Sequence, residues 1–130
     1  MATMWYYHGS QRVEIHNPSP DDICRWVEAL DNHQRNYIHV NTDSSTLSVI
    51  GGHKGRVIVN FRDRSKSRRT TRLIDTLYRH RPRAVKIHMG GTLADDEPLH
   101  RTVTKARASE ITSYYVKTGM LPDGLTRSRI

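Results

Sequence analysis

The sequence predicts an α+β fold: an antiparallel sheet of about five to six strands with one helix from the N-terminal half and a C-terminal helix packed on it. Three observations carry that expectation. Ile23, Trp26, Val27 and Leu30 fall at i, i+3, i+4 and i+7, the stripe of one helix face. Three β-prone runs, 37–40, 47–50 and 57–61, follow with only short turns between them. A parallel crossover needs about a dozen residues, so these strands pair antiparallel. A second helical pattern from about 104 to 118 sets Ala108, Ile111 and Tyr115 on one face, then meets Gly119 and Pro122 as stop signals.

The elements follow in order. Met4-Trp5-Tyr6-Tyr7-His8 is aromatic and β-prone, and after Gly9-Ser10 the run from Arg12 to His16 alternates apolar and polar, which predicts an opening hairpin. Ser19-Pro20-Asp21-Asp22 has the marks of a helix start, and the helix is expected to end near His33. Asp43-Ser44-Ser45 and the segment 51–55 are turns between strands. The stretch 62–72 holds no aliphatic side chain and reads as an exposed loop. Leu73 to Tyr78 fits either a strand or a short helix. Ala84 to Met89 alternates and predicts a strand, and Gly90-Gly91 and Asp95-Asp96-Glu97-Pro98 predict loop.

The 130 residues carry a net charge of +8, and that charge is not evenly spread. Residues 1–53 sum to −3 and residues 87–130 to +1, whereas 54–86 hold twelve bases against Asp63 and Asp75, net +10. A focused block of this kind attracts an acidic partner and weakens in salt. No apolar run approaches the roughly 20 residues of a membrane span. The start of the chain has neither the basic nor the apolar part of a secretory signal, so the expected location is cytoplasmic. Cys24 is the single cysteine, which excludes an internal disulfide and a cysteine-based zinc site.

The glycines of 51–55 lack P-loop spacing and precede no helix, so a turn explains them better than a phosphate cradle. His33, His39, His80, His88 and His100 are scattered, and no pair shows the His-Glu-x-x-His pattern. Asp95, Asp96 and Glu97 form the one acidic cluster and read as a solvated loop. Cys24 sits one step off the apolar stripe, at the core edge. No catalytic set, metal site or cofactor follows from these residues, and a non-enzyme is expected.

The segment 62–72 stands out. Arg62, Arg64, Lys66, Arg68, Arg69 and Arg72 are the candidate partner-binding residues, because guanidinium forks suit carboxylates and phosphates. A cognate toxin or other acidic protein surface is one partner. Nucleic acid is the alternative, with the chain as a small basic regulatory module gripping phosphates. Residues 62–76 offer no aromatic side chain for base stacking.

The closing run Glu110-Ile111-Thr112-Ser113-Tyr114-Tyr115-Val116-Lys117-Thr118-Gly119-Met120-Leu121-Pro122 resembles the C-terminal signature of a family of immunity proteins encoded beside bacterial polymorphic toxins. That family includes the inhibitor of the toxin that deaminates cytosine in double-stranded DNA. The matching positions are Tyr114, Tyr115, Thr118, Gly119 and Pro122, with Leu125-Thr126 as the short tail and Arg127 where members often have tryptophan. The early helix and the strand pair around a glycine turn agree in order. The resemblance implies one immunity-protein-like domain over residues 1–130. Such a domain occludes a toxin and performs no chemistry.

Overall fold

A computed structural model describes residues 2–8, 10–31, 35, 37–65, 69–75, 84–89, 93–98 and 101–129, with backbone alone at 8, 75, 84–89, 93–98 and 129. The opening hairpin forms as its alternation requires. Strands β1 (Thr3–His8) and β2 (Gln11–His16) pair antiparallel from Thr3↔His16 to His8↔Gln11. The alternation buries Met4 and Tyr6 and leaves Trp5 and Tyr7 on the opposite face.

Helix α1 (Pro20–Glu28) starts at a reciprocal cap. Ser19 Oγ accepts from the Asp22 amide at 3.1 Å, and Asp22 Oδ2 accepts from the Ser19 amide at 3.0 Å. The helix ends short of His33, which lies outside the described residues. Ala29 closes the last turn onto the Arg25 carbonyl. Beyond it the Asp31 amide donates to the Arg35 carbonyl, and the Arg35 amide donates to Asp31 Oδ1.

Strands β3 (Tyr37–Asn41), β4 (Ser45–His53) and β5 (Arg56–Asp63) follow the expected meander. Lys54 (φ 51°) and Gly55 (φ 74°) join β4 to β5, the paired positive φ angles of a primed two-residue turn. The chain then departs from the sequence reading. Residues 62–72 are not one loop, because β5 continues through Asp63 and β6 (Thr70–Asp75) has already begun. Thr70, Thr71 and Arg72 pair with Arg62, Phe61 and Asn60. Leu73, Ile74 and Asp75, in the run that fitted strand or helix, are strand, and residues 76–78 lie outside the described residues.

Strands β7 (Ala84–Met89) and β8 (Leu93–Pro98) form a separate two-stranded ribbon. Asp95-Asp96-Glu97 therefore sits in a strand, where pairing with Ile87, Lys86 and Val85 overrides the loop-like composition. Gly90-Gly91 lies outside the described residues. The two-residue β9 (Val103–Thr104) pairs with β5, and the tail forms β10 (Leu125–Arg129) against β6.

Among the described residues the large sheet has eight strands, in the order β10-β6-β5-β4-β3-β1-β2 with β9 on β5. The α+β class and the two helices agree with expectation. The strand number exceeds it, because β6, β9 and β10 lack the apolar alternation that announces a strand.

Helix α2 (Lys105–Thr118) is capped by Thr104 Oγ1, which accepts from the Arg107 amide at 3.1 Å. It ends at left-handed Gly119 (φ 73°), whose amide donates to the Tyr115 carbonyl. Ile23 and Val27 of α1, with Ala108, Ile111 and Tyr115 of α2, bury against Val49, Val57, Val59, Phe61 and Leu73 of the sheet. Each Val, Leu, Ile or Phe among them contributes about 1.5–3 kcal/mol on burial. The Phe61 and Tyr115 rings meet edge to face at 5.9 Å, and Tyr6 packs on Trp26 at 4.0 Å. No helix among the described residues is long and apolar enough to cross a membrane.

Candidate partner-binding surface

The sheet face turned away from the helices is built in rows across the strands. One row runs Glu14, Trp5, His39, Ser48, Asn60, Arg72 and Ser128 through β2, β1, β3, β4, β5, β6 and β10. A second runs His16, Thr3, Asn41, Thr46, Arg62 and Thr70. Neighbours in a row project from the same side of the sheet, so they touch or bridge.

The two halves of this face differ in what covers them. Strand β7 packs against β4 and β5. Ile50 and Ile58 are buried there, outside the helix-side cluster, together with Ser48 and Asn60. Toward β1, β2 and β3 the face opens. Trp5 stands between two neighbours from flanking strands. The His39 ring stacks on it at 4.4 Å and 23°, and the Arg12 guanidinium lies 4.2 Å from its centroid. Tyr7 and Tyr37 meet Trp5 edge to face, each at 6.0 Å, and Tyr7 is 39% exposed. Glu14 accepts an ion pair from Arg12 at 2.9 Å. The cluster is thus tied together before any partner arrives.

His39 joins the two halves. Its Nδ1 shares a hydrogen bond of 2.7 Å with Ser48 Oγ. Burial, aided by the nearby Arg12 charge, lowers the imidazole pKa from 6.5 to about 4, so the ring stays neutral at physiological pH. A neutral ring stacks on indole without stranding a charge. Burial also raises the Tyr37 phenol above its ordinary value.

The six arginines and lysines singled out in the sequence do not form one surface. Arg62 is exposed on the open side of β5, and Arg69 is exposed just before β6. Arg64 is exposed but committed: its guanidinium donates to the Thr42 carbonyl at 2.6 Å and to Thr46 Oγ1, pinning the β3–β4 turn. Lys66 and Arg68 lie outside the described residues. Arg72 is a correction, because it is 1% exposed and cannot meet a docking partner. Its row position places it under the covered half, where its Nε donates to Asn60 Oδ1 at 2.7 Å.

Other candidates resolve simply. Among the described residues no group of three or more His, Cys, Asp or Glu side chains could hold a metal ion. Cys24, expected at the core edge, is exposed. The closing signature splits by burial. Tyr115 is buried, with its hydroxyl bonded to Ser45 Oγ and Thr42 Oγ1, while Tyr114 is 43% and Met120 65% exposed. Beside them a cleft of about 350 Å³ is lined by Ala2, residues 42–44 and residues 116–119.

The aromatic start of the chain is legible in the sequence, but the patch it builds is not. The available signal was period two: a strand carrying Met4 and Tyr6 on one face and Trp5 and Tyr7 on the other shows large aromatics to both sides of the sheet. Compared with protein-family models, curated proteins and solved structures, the chain has no significant match.

Proposed function

We propose that this chain is an immunity-type protein that binds and occludes a cognate toxin domain in the cytoplasm and performs no chemistry itself. The observation that carries this reading is the open end of the sheet's outer face. There Arg12, Trp5, Tyr7 and Tyr37 stand together on a rigid scaffold. Tryptophan, tyrosine and arginine are the residues that most often anchor protein interfaces, and pre-ordered rings lose little entropy on binding. The closing signature supports the same reading through the fold, with Tyr115 and Gly119 holding α2 and Tyr114 left exposed.

A protein partner fits the patch better than single-stranded nucleic acid. Stacking a base needs a free aromatic face. His39 and Arg12, reaching in from strands on opposite sides of β1, already pack on the Trp5 ring. Arg62 and Arg69 then act at longer range. Three strand spacings, about 14 Å, separate β1 from β5, so the arginines flank the patch and steer an acidic partner.

Co-expression with the toxin encoded beside this gene tests the proposal. Cells should survive, and a one-to-one complex should persist through gel filtration. Cell death with no complex overturns it. A gel shift with DNA or RNA that weakens steeply between low and physiological salt, with no toxin complex, would favour the phosphate-gripping alternative.

A further inference from the structure

The large sheet ends in two edge strands, β2 and β10, and among the described residues no strand pairs with their outer sides. Open edges invite another strand unless lysine, proline, a bulge or like charges protect them. The two edges differ in this respect.

β10 is protected. The antiparallel self-pairing that overlaps it most has its two-fold axis at Arg127, which would set Arg127 directly against its own copy. Like charges directly opposed repel.

β2 is not. Its residues Gln11–His16 contain no lysine or proline, and its register with β1 runs unbroken through six pairs. The two-residue connection makes His8↔Gln11 a hydrogen-bonded pair, and bonding alternates from there. The Asn17 amide, which donates to the Ala2 carbonyl at 2.8 Å, keeps the same phase. Residues 11, 13 and 15 therefore bond to β1, and the amides and carbonyls of Arg12, Glu14 and His16 point to the open edge.

We infer that β2 pairs antiparallel with β2 of a second copy of this chain about a two-fold axis at Val13. In that register Arg12 lies opposite Glu14 of the second copy, in both directions, as a hydrogen-bonded backbone pair with opposite charges on one face. Val13 meets its own copy on the other face. A one-residue shift of the axis either way would oppose Arg12 to Arg12 or Glu14 to Glu14, so charge selects a single register. The dimer joins two sheets edge to edge and sets two aromatic patches side by side. It stands independently of the toxin reading.

Strand pairing alone buries less than a standard interface, so the dimer is weak and concentration-dependent. Sedimentation velocity from about 5 to 500 µM chain should show the monomer giving way to dimer. Glu14→Arg should abolish the shift, and the double variant Arg12→Glu/Glu14→Arg should restore it. In the unaltered protein, hydrogen exchange at the Arg12 and Glu14 amides should slow as concentration rises. A monomer throughout the range, a dimer that survives Glu14→Arg, or a dimer whose Arg12 and Glu14 amides exchange at the monomer rate overturns the inference.

Discussion

Arg12 and Arg72 sit on the same face of one sheet and do opposite work. Arg12 lies at the open end, over an indole and beside Glu14, with half its side chain in water. Arg72 lies under the covered half, buried and bonded to Asn60. Residue type does not separate them, since both are arginines on strands facing away from the helices. What separates them is cover: β7 packs against β4 and β5, next to the strand that carries Arg72, and Arg72 is buried where Arg12 is exposed. On this sheet an arginine stays at the surface where nothing covers it and becomes a structural group where something does. Burying a guanidinium costs several kcal/mol of hydration, so Arg72 is tolerable only while its hydrogen bonds are intact.

The covered half gives the largest expected effect. Arg72→Ala strips the donor from buried Asn60 Oδ1 and leaves a void, and should destabilise the fold by about 3 kcal/mol. For a chain of this size that lowers Tm by on the order of 10 °C. Thermal unfolding followed by circular dichroism checks it. A loss below about 1 kcal/mol would place Arg72 among ordinary surface arginines and dissolve the contrast.

The junction of the halves gives the next effect, through pH. The unfolded chain takes up a proton at His39 near pH 6.5, whereas the folded chain resists until about pH 4. Between those values the unfolded state binds more protons, so stability falls as pH falls through the window and levels off below it. The loss should be of order 2–3 kcal/mol. His39→Gln keeps a polar partner for Ser48 but cannot titrate, and should flatten this part of the curve. Urea unfolding between pH 4 and 7 measures both proteins, and identical slopes would show that His39 titrates freely.

The open half should respond in binding and not in folding. Tyr7→Ala removes an exposed ring that meets Trp5 edge to face, so stability should change by less than about 1 kcal/mol. Affinity for the toxin should fall about 10- to 30-fold, the scale of an interface anchor. Calorimetric titration would show it, and an unchanged affinity moves the interface away from this patch.

How much of this was legible in the sequence follows the strength of local periodicity. Ser19 and the stripe from Ile23 to Leu30 specified α1, and Gly119 specified where α2 stops. Thr70 to Arg72 and Leu125 to Arg129 were not legible as strands, and Leu73 to Asp75 fitted a helix as well as a strand. Their pairing is set by β5 and by each other across long sequence separations, not by their own alternation. The site was half-legible. Arg62 and Arg69 are exposed as composition suggests, but nothing local distinguishes Arg72, which is buried beside Asn60 of a neighbouring strand. Trp5 and His39 lie 34 positions apart and become neighbours only through the β1–β3 register.

The smallest expected effect tests the division of labour between the patch and the exposed arginines. Arg62→Gln with Arg69→Gln removes two positive charges from exposed side chains, so stability should change by less than about 1 kcal/mol. If these charges only steer, association with the toxin should slow a few-fold at low ionic strength, and the difference should vanish as the Debye length shrinks to about 3 Å near 1 M salt. Dissociation should stay the same if the contacts that hold the proposed complex lie at Trp5 and Tyr7. Stopped-flow binding across a salt series separates the two rates. A faster dissociation that persists in high salt would mean the arginines touch the partner directly. The anchor would then extend from the open half across to β5, and the boundary between the two halves would have to move.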